Sequence, residues 1–347
     1  MAWKDRSVLV TGGTSFIGSQ LVDVLVGLGA RVRVADDLSS GLLVNIQAHL
    51  DNGIVELIQG DLRDTKTTQQ ALAGINTVFH LAADHGGRGY VDTFQAGPAS
   101  NLFLDGLIFW EALQAGVEKV VFASSGCVYP NNLQADANEE LYLTEDLVVP
   151  PYDADNMYGW AKLMGELTLQ AYHREYGLKA ASCRYFTVYG PRAKENHAVM
   201  AMIARAFLRR DPYEVWGDGT QVRNWTHVDD IVSGTILAAE NIDDGTAINL
   251  GTMERITVAG AARMVLEMTE HPAEIKYLTD MPTGPINRVA DNAVAKDLLG
   301  WEPTVMFRDG LKHTIDWYYK NKTREEVTAV LDGGGFIARQ LPKKVLS

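Results

Sequence analysis

Cysteine is scarce in this 347-residue chain: Cys127 and Cys183 are the only two. Two thiols without metal-like spacing form neither a disulfide framework nor a zinc site, so a reduced setting and no bound metal are expected. Long apolar runs are missing as well, and nothing approaches the roughly 20 apolar residues of a bilayer-spanning helix. The first residues, Met1 to Arg6, are polar with no apolar segment behind them. No signal peptide is visible, and a cytoplasmic location is the expectation. Positive charge is under-represented, with 31 Lys and Arg against 44 Asp and Glu and a net charge of −13. That balance argues against nucleic acid or an anionic membrane as the main partner. A small anionic ligand stays compatible wherever cations and helix N-termini converge. Repeats and low-complexity tracts are absent.

What the chain does contain is an ordinary globular mix, 46% apolar and 22% charged. A chain of this length buries a core without staples. Short β-rich runs alternate with helical patterns through the first half. The runs are Ser7–Thr11, Val32–Asp36, Ile54–Gln59, Thr77–Leu81, Lys119–Ser124 and Ala180–Phe186, with helical spacing between them at Ile17–Leu28 and Thr67–Ala73. Strands apolar throughout and separated by helices imply a parallel sheet covered on both faces, a Rossmann-type doubly wound α/β domain. We assign residues 1–186 and 228–250 to it, with the run Ala247–Leu250 returning to the main sheet. Residues 187–227 and 251–320, with helical stretches near 198–210 and 257–270, read as a smaller α/β lobe. The tail from 321 to 347, with its Asp332-Gly333-Gly334-Gly335 turn and basic end, has no assigned role. Two helical stretches, Ser100–Gln114 and Met157–Tyr172, are apolar on more than one face, which suits either a second contact within the chain or a dimer seam.

The first strand runs into Gly12-Gly13-Thr14-Ser15-Phe16-Ile17-Gly18, and a helix follows. Glycine lets the backbone turn tightly and approach a pyrophosphate, which then faces the helix N-terminus. Such a turn is common; its place after the first strand of an α/β chain makes it a dinucleotide signal. The second strand ends at Asp36-Asp37, 18 residues past Gly18. An acid there can accept hydrogen bonds from ribose hydroxyls and would repel a 2′-phosphate, so NAD is favoured over NADP. Asp61-Leu62 closes the third strand, where an adenine could sit. Ala82-Ala83 closes the fourth, where small side chains leave room for the dinucleotide.

Tyr158 and Lys162, four apart, share one helix face. A free tyrosine is a poor base at neutral pH, and a nearby ammonium would favour the phenolate. Tyr-x-x-x-Lys alone is weak. It gains from Ser125, just beyond the fifth strand at the C-terminal edge of the sheet, where ligands bind in such folds.

With these motifs in place, the chain resembles the extended short-chain dehydrogenases/reductases of the nucleotide-sugar epimerase/dehydratase family over roughly residues 5–320. Further segments carry the likeness: Asp36-Asp37-Leu38-Ser39-Ser40-Gly41, Tyr185-Phe186-Thr187-Val188-Tyr189-Gly190-Pro191 and Trp216-Gly217-Asp218-Gly219-Thr220-Gln221-Val222-Arg223. Two more, from Ala82-Ala83-Asp84-His85-Gly86-Gly87-Arg88-Gly89-Tyr90 and Ser124-Ser125-Gly126-Cys127-Val128-Tyr129-Pro130, are similar to the GDP-mannose 3,5-epimerase branch. The resemblance implies an isomerase with tightly bound NAD, a nucleotide-diphosphate sugar as substrate, and a homodimer. Sugar C4 would be oxidised transiently with Tyr158 as base, Lys162 and Ser125 assisting. The 4-keto group would acidify C3 and C5, where Cys127 acts as acid/base. Gly86, Gly87, Arg88, Thr187, Arg223 and Arg288 would contact the substrate, the last two clamping phosphate. Dehydratases of the family carry an Asp-Glu pair where this chain has Gly126-Cys127, so dehydration is not expected.

The chain also departs from the pattern. His197, with Lys194 close by, stands where the branch has a lysine as second acid/base, and histidine titrates in the right range. Thr187 replaces an asparagine that contacts the diphosphate, and His85 and Arg88 replace apolar residues. Cys127 could instead be a packing residue. The enzyme would then be a UDP- or GDP-sugar 4-epimerase, in which the ketone rotates and takes hydride on its other face. A net NAD-dependent oxidoreductase is the remaining alternative.

Overall fold

The computed structural model of the chain describes residues 3–136 and 139–333. Six strands, β1 (Ser7–Thr11), β2 (Arg31–Asp36), β3 (Val55–Gln59), β4 (Thr77–His80), β5 (Lys119–Ser125) and β6 (Lys179–Tyr185), alternate with helices. A seventh, Asp244–Leu250, joins the same parallel sheet at its edge beside β6, and the order is Asp244–Leu250, β6, β5, β4, β1, β2, β3. Successive side chains leave a strand on opposite faces, and β1 is apolar on both. Val8 and Val10 enter a core with Leu21, Val22 and Leu25 of the helix Phe16–Gly27 and Ile231 and Val232 of the helix Val228–Asn241. Leu9 enters the opposite core with Ile108, Phe109 and Leu169. The doubly wound fold expected from the alternating pattern is the one observed.

The helices Asn101–Gln114 and Asn156–Tyr176 cover that second face. Among the described residues their outer sides are left open: Leu102, Phe103, Trp110, Trp160 and Met164 are all exposed. The Asn156–Tyr176 helix stops where Gly177 adopts φ +72°, a left-handed turn that glycine takes without strain.

A second core gathers the helices Ala198–Phe207, Val258–Met268 and Phe307–Asn321 around the parallel pair Tyr213–Trp216 and Ile275–Leu278. The segment after Asn321, left without a role from sequence, forms the helix Arg324–Asp332, started by a Thr323/Glu326 capping box and anchored in this core by Val327. Gly334, Gly335 and the basic end lie outside the described residues. The helix Ala293–Leu299 packs instead on the main-sheet core through Ala295, as does Trp301 just beyond it.

Candidate active site

The two cores meet around a cavity of about 410 Å³ at the C-terminal edge of the sheet. It is lined at one end by Gly12, Ser15, Phe16, Ile17, Gly18 and Ala83. The middle holds Ser125, Cys127, Tyr158 and Lys162 together with Gly86, Gly87, Arg88, Thr187 and His197. Arg223 and Arg288 close the far end. Asp36, Asp37, Asp61, Leu62 and Ala82 are not among its lining residues.

The glycine turn is built by close backbone approach. A Cβ at Gly18 would lie 2.2 Å from the Gly12 carbonyl oxygen, and Gly12 has φ +69°. Nothing larger than glycine fits either place, which leaves the N–H groups at the start of the Phe16–Gly27 helix facing the cavity as an anion cradle. Buried Asp36 accepts from the N–H groups of Thr14 (3.0 Å) and Leu38 (2.9 Å), tying the turn to the end of β2. Asp37 is exposed and accepts from Ser39. Asp61 is exposed and pairs with Arg63 at 2.8 Å, while Leu62 is buried. The N–H of Ala82 donates to Thr11 Oγ1 at 3.0 Å.

Tyr158 and Lys162 share one face of the Asn156–Tyr176 helix as their spacing requires. That helix reaches the Ser125 turn because Gly159 has no side chain: a Cβ there would lie 2.2 Å from the Cys127 carbonyl oxygen. The Tyr158 phenol and the Ser125 hydroxyl line the same part of the cavity and interact. Burial pushes the phenol above its usual range, the charges of Cys127 and Asp105 add to that, and the Ser125 hydroxyl opposes it. Burial also lowers Lys162, against the opposing pull of Asp105. The Lys162 ammonium lies 5.8 Å from the Tyr158 ring centroid and 4.6 Å from that of Phe122. The ammonium expected from the sequence is therefore present beside the ring, and burial dominates the balance of the phenol.

The three arginines differ in their partners. Arg88 is held by Asp92 (2.7 Å) and by both oxygens of Asp155 (2.6 and 3.2 Å). Arg288 gives Nε to Gln134 (2.7 Å), Nη2 to Asp155 (3.0 Å) and Nη1 to the Cys127 sulfur (3.2 Å). Arg223 donates to the carbonyls of Val222 (2.8 Å), Ile286 (3.4 Å) and Thr283 (3.0 Å). Enclosure, then repulsion from Arg288 and Arg88, lower it to about 9. Lys194, an exposed residue, also lines the cavity, and desolvation shifts it downward. His197 is lowered to about 4 by enclosure and then by Lys194. His85, exposed at the cavity mouth with its ring centre 6.3 Å from that of His197, is shifted downward by desolvation and then by His197, Lys162 and Lys194. Both imidazoles are therefore neutral in the cavity at neutral pH.

Asp155 and Gln134 were not picked out from sequence. Asp155 occupies the N-cap position of the Tyr158 helix, so an acid just before a helical pattern was the available signal. Gln134 had none.

A doubly wound sheet with a glycine turn after its first strand and a Ser-Tyr-Lys cluster at its C-terminal edge defines an enzyme of the short-chain dehydrogenase type. The chain belongs to the NAD dependent epimerase/dehydratase family, whose model matches residues 8–251. NAD is its cofactor. The chain is 29% identical over 337 residues to GDP-mannose 3,5-epimerase 1 of Oryza sativa subsp. japonica, covering 95% of this chain and 85% of that one. It is 32% identical to UDP-glucuronic acid decarboxylase 3 of Arabidopsis thaliana, covering 88% and 86%. Among solved structures, UDP-glucuronic acid 4-epimerase from Bacillus cereus, in complex with UDP-glucuronic acid and NAD, aligns with a TM-score of 0.81 at 29% identity, over 91% of this chain and all of that one.

Proposed function

We propose that this enzyme is a nucleotide-sugar epimerase that oxidises its sugar transiently at C4 and inverts C3, C5 or both through Cys127. The observation that carries this reading is the Cys127 sulfur, 3.2 Å from the Arg288 guanidinium and lining the same cavity as Ser125 and Tyr158. That geometry holds the thiol beside the groups that would oxidise C4, within reach of the carbons next to it. Cys183 is the contrast within the chain: fully buried, it is pushed up to about 12 and is a packing residue.

The residues divide the work as follows. The Gly12–Gly18 turn would hold the dinucleotide pyrophosphate, Asp36 and Asp37 the adenosine ribose, Asp61 and Leu62 the adenine, and Ala82 and Ala83 would leave room for the nicotinamide half. NAD, when bound, supplies the hydride acceptor and returns the hydride. Tyr158 takes the C4 hydroxyl proton, with Ser125 bonding the same oxygen and Lys162 supporting the phenolate electrostatically. The resulting ketone acidifies C3 and C5. Neutral His197, with Lys194 as the neighbouring candidate, takes the proton from one face, the Cys127 thiol returns one to the other, and the reverse transfer resets the pair. Arg223, whose donors hold only neutral carbonyls, is free to take a diphosphate oxygen; Arg288 has its guanidinium on Cys127 and Asp155, and Gly86, Gly87, Arg88 and Thr187 shape the sugar pocket. Given the relatives, GDP-mannose is the first substrate to test and UDP-glucuronic acid the second.

The test is incubation with these nucleotide sugars in D2O. Deuterium entering C3 or C5 with inversion, lost in Cys127→Ser with hydride transfer retained, is the expected result. Inversion at C4 without deuterium would replace this reading with the 4-epimerase. Tyr158→Phe abolishes turnover in either case, while substrate still binds.

A further inference from the structure

Behind the Tyr158–Lys162 pair lies a buried polar chain that neither the motifs nor the proposed mechanism uses. It begins at the N–H groups of Leu81 and Ala82, which both donate to Thr11 Oγ1 at 3.0 Å. With those two bonds accepted, the threonine hydrogen goes to His80 Nδ1, 2.8 Å away. Nδ1 is therefore an acceptor, and the ring proton sits on Nε2, which donates to Asp105 Oδ1 at 3.0 Å. The direction of this chain fixes His80 as the neutral Nε2–H tautomer and presents Asp105 as the accepting carboxylate. Both side chains are buried, His80 fully and Asp105 to within 1%.

A carboxylate here is an unusual choice. Its helix, Asn101–Gln114, fills neighbouring inward positions with Ile108 and Phe109. The second oxygen, Oδ2, has no hydrogen-bond partner among the described residues. An orphaned buried polar atom is destabilising, and breaches of this kind concentrate at functional sites. The His80 ring stacks on Phe122 with centroids 5.9 Å apart, and the Lys162 ammonium lies against that same ring. Asp105 is the acid whose charge reaches both Lys162 and Tyr158.

We propose that Asp105 is a positioning residue for the reaction: a buried counter-charge, oriented by His80 and Thr11, that sets the pH range in which Tyr158 and Lys162 work. The proposal rests on reading Tyr158 and Lys162 as the proton-transfer pair. The other titratable groups facing this pair are Cys127 beyond β5, His85 of the glycine loop and Tyr185 of β6. None of them carries a negative charge in the form described above except a Cys127 thiolate. Removing the Asp105 charge makes the tyrosine easier to ionise and the lysine easier to discharge, so both limbs move in the same direction.

Asp105→Asn keeps an acceptor for His80 and removes the charge. Both limbs of the pH profile of kcat are expected to move to lower pH, on the order of one unit, as for loss of one nearby charge. Asp105→Thr, neutral and smaller, should move them likewise if the asparagine variant folds poorly. His80→Gln leaves the carboxylate in place and should leave the limbs where they are. Tyrosinate absorbance, taken as the difference from protein bearing Tyr158→Phe, reports the same displacement without any substrate. Limbs and absorbance at wild-type positions in both Asp105 variants, with only amplitude or thermal stability reduced, would make Asp105 structural and overturn the proposal. If no nucleotide sugar is turned over by the wild type, the reading of the function fails, and the absorbance titration still decides the role of Asp105.

Discussion

At the scale of single residues, the decisive contrast is among three guanidiniums sharing one cavity. Arg88 and Arg288 divide the Asp155 carboxylate, which is held below its usual range by those two charges against the effect of burial. Arg223 has neutral carbonyl partners and two cationic neighbours. A cation in that setting destabilises the free protein and is relieved by an arriving anion. Arg223→Met should therefore raise KM for the nucleotide sugar by roughly 10- to 100-fold, in line with loss of one charge-assisted contact of about 1.5–3 kcal/mol. Its kcat should stay within a few-fold, and the ligand-free Tm should not fall. Kinetics with thermal melts checks this, and a lowered kcat at unchanged KM would remove Arg223 from diphosphate binding. The same contrast explains what could be read early. Tyr158 and Lys162 are four apart, and helix geometry alone puts them together. Asp155 meets Arg88 and Arg288 across 67 and 133 positions; no local pattern encodes such a meeting, so the residue that joins the two arginines stayed hidden.

At the scale of elements, the sheet was legible because its strands are apolar on both faces and bounded by helical spacing. The expected Ser7–Thr11 and the observed β1 coincide, and Ala247–Leu250 falls inside the edge strand Asp244–Leu250. The cavity was less so, because its far wall comes from two-residue strands such as Val222–Arg223 and Asn287–Arg288, too short to carry a periodicity. The two apolar helices posed a choice between an inner contact and a seam. Their inner faces fill the core through Ile108, Phe109 and Leu169, and their outer faces expose Phe103, Trp110, Trp160 and Met164. An exposed apolar patch shared by two adjacent helices fits an isologous contact between two copies. Trp110→Glu, alone or with Phe103→Glu, should convert a dimer to a monomer in sedimentation velocity without unfolding it, since neither side chain belongs to the core. A wild type that sediments as a monomer at micromolar concentration would end the idea.

At the scale of the whole molecule, the cavity shapes how stability depends on pH. His197 is lowered to about 4, and His85 is shifted downward, first by desolvation and then by cationic neighbours. In the unfolded chain each takes up a proton near pH 6.5. Between about 6.5 and 4 the unfolded chain therefore binds protons that the folded chain refuses, and stability falls as pH falls. Asp155 acts in a different window. Its folded value is depressed, so its contribution is complete above the unfolded value near 3.9 and is lost only below it. The two cavity histidines, His197 foremost because His85 is the more exposed, therefore contribute to the loss between pH 6.5 and 4. Replacing both, as His85→Asn with His197→Asn, should lessen the dependence of Tm on pH across that window while leaving the steep loss below pH 4. Calorimetric melts at intervals from pH 7 to 3 measure both parts. An unchanged slope between 6.5 and 4 in the double variant would mean that these imidazoles accept protons in the folded protein as readily as in the unfolded chain. In that case His197 could not stand neutral opposite Cys127 without a bound ligand to keep it so.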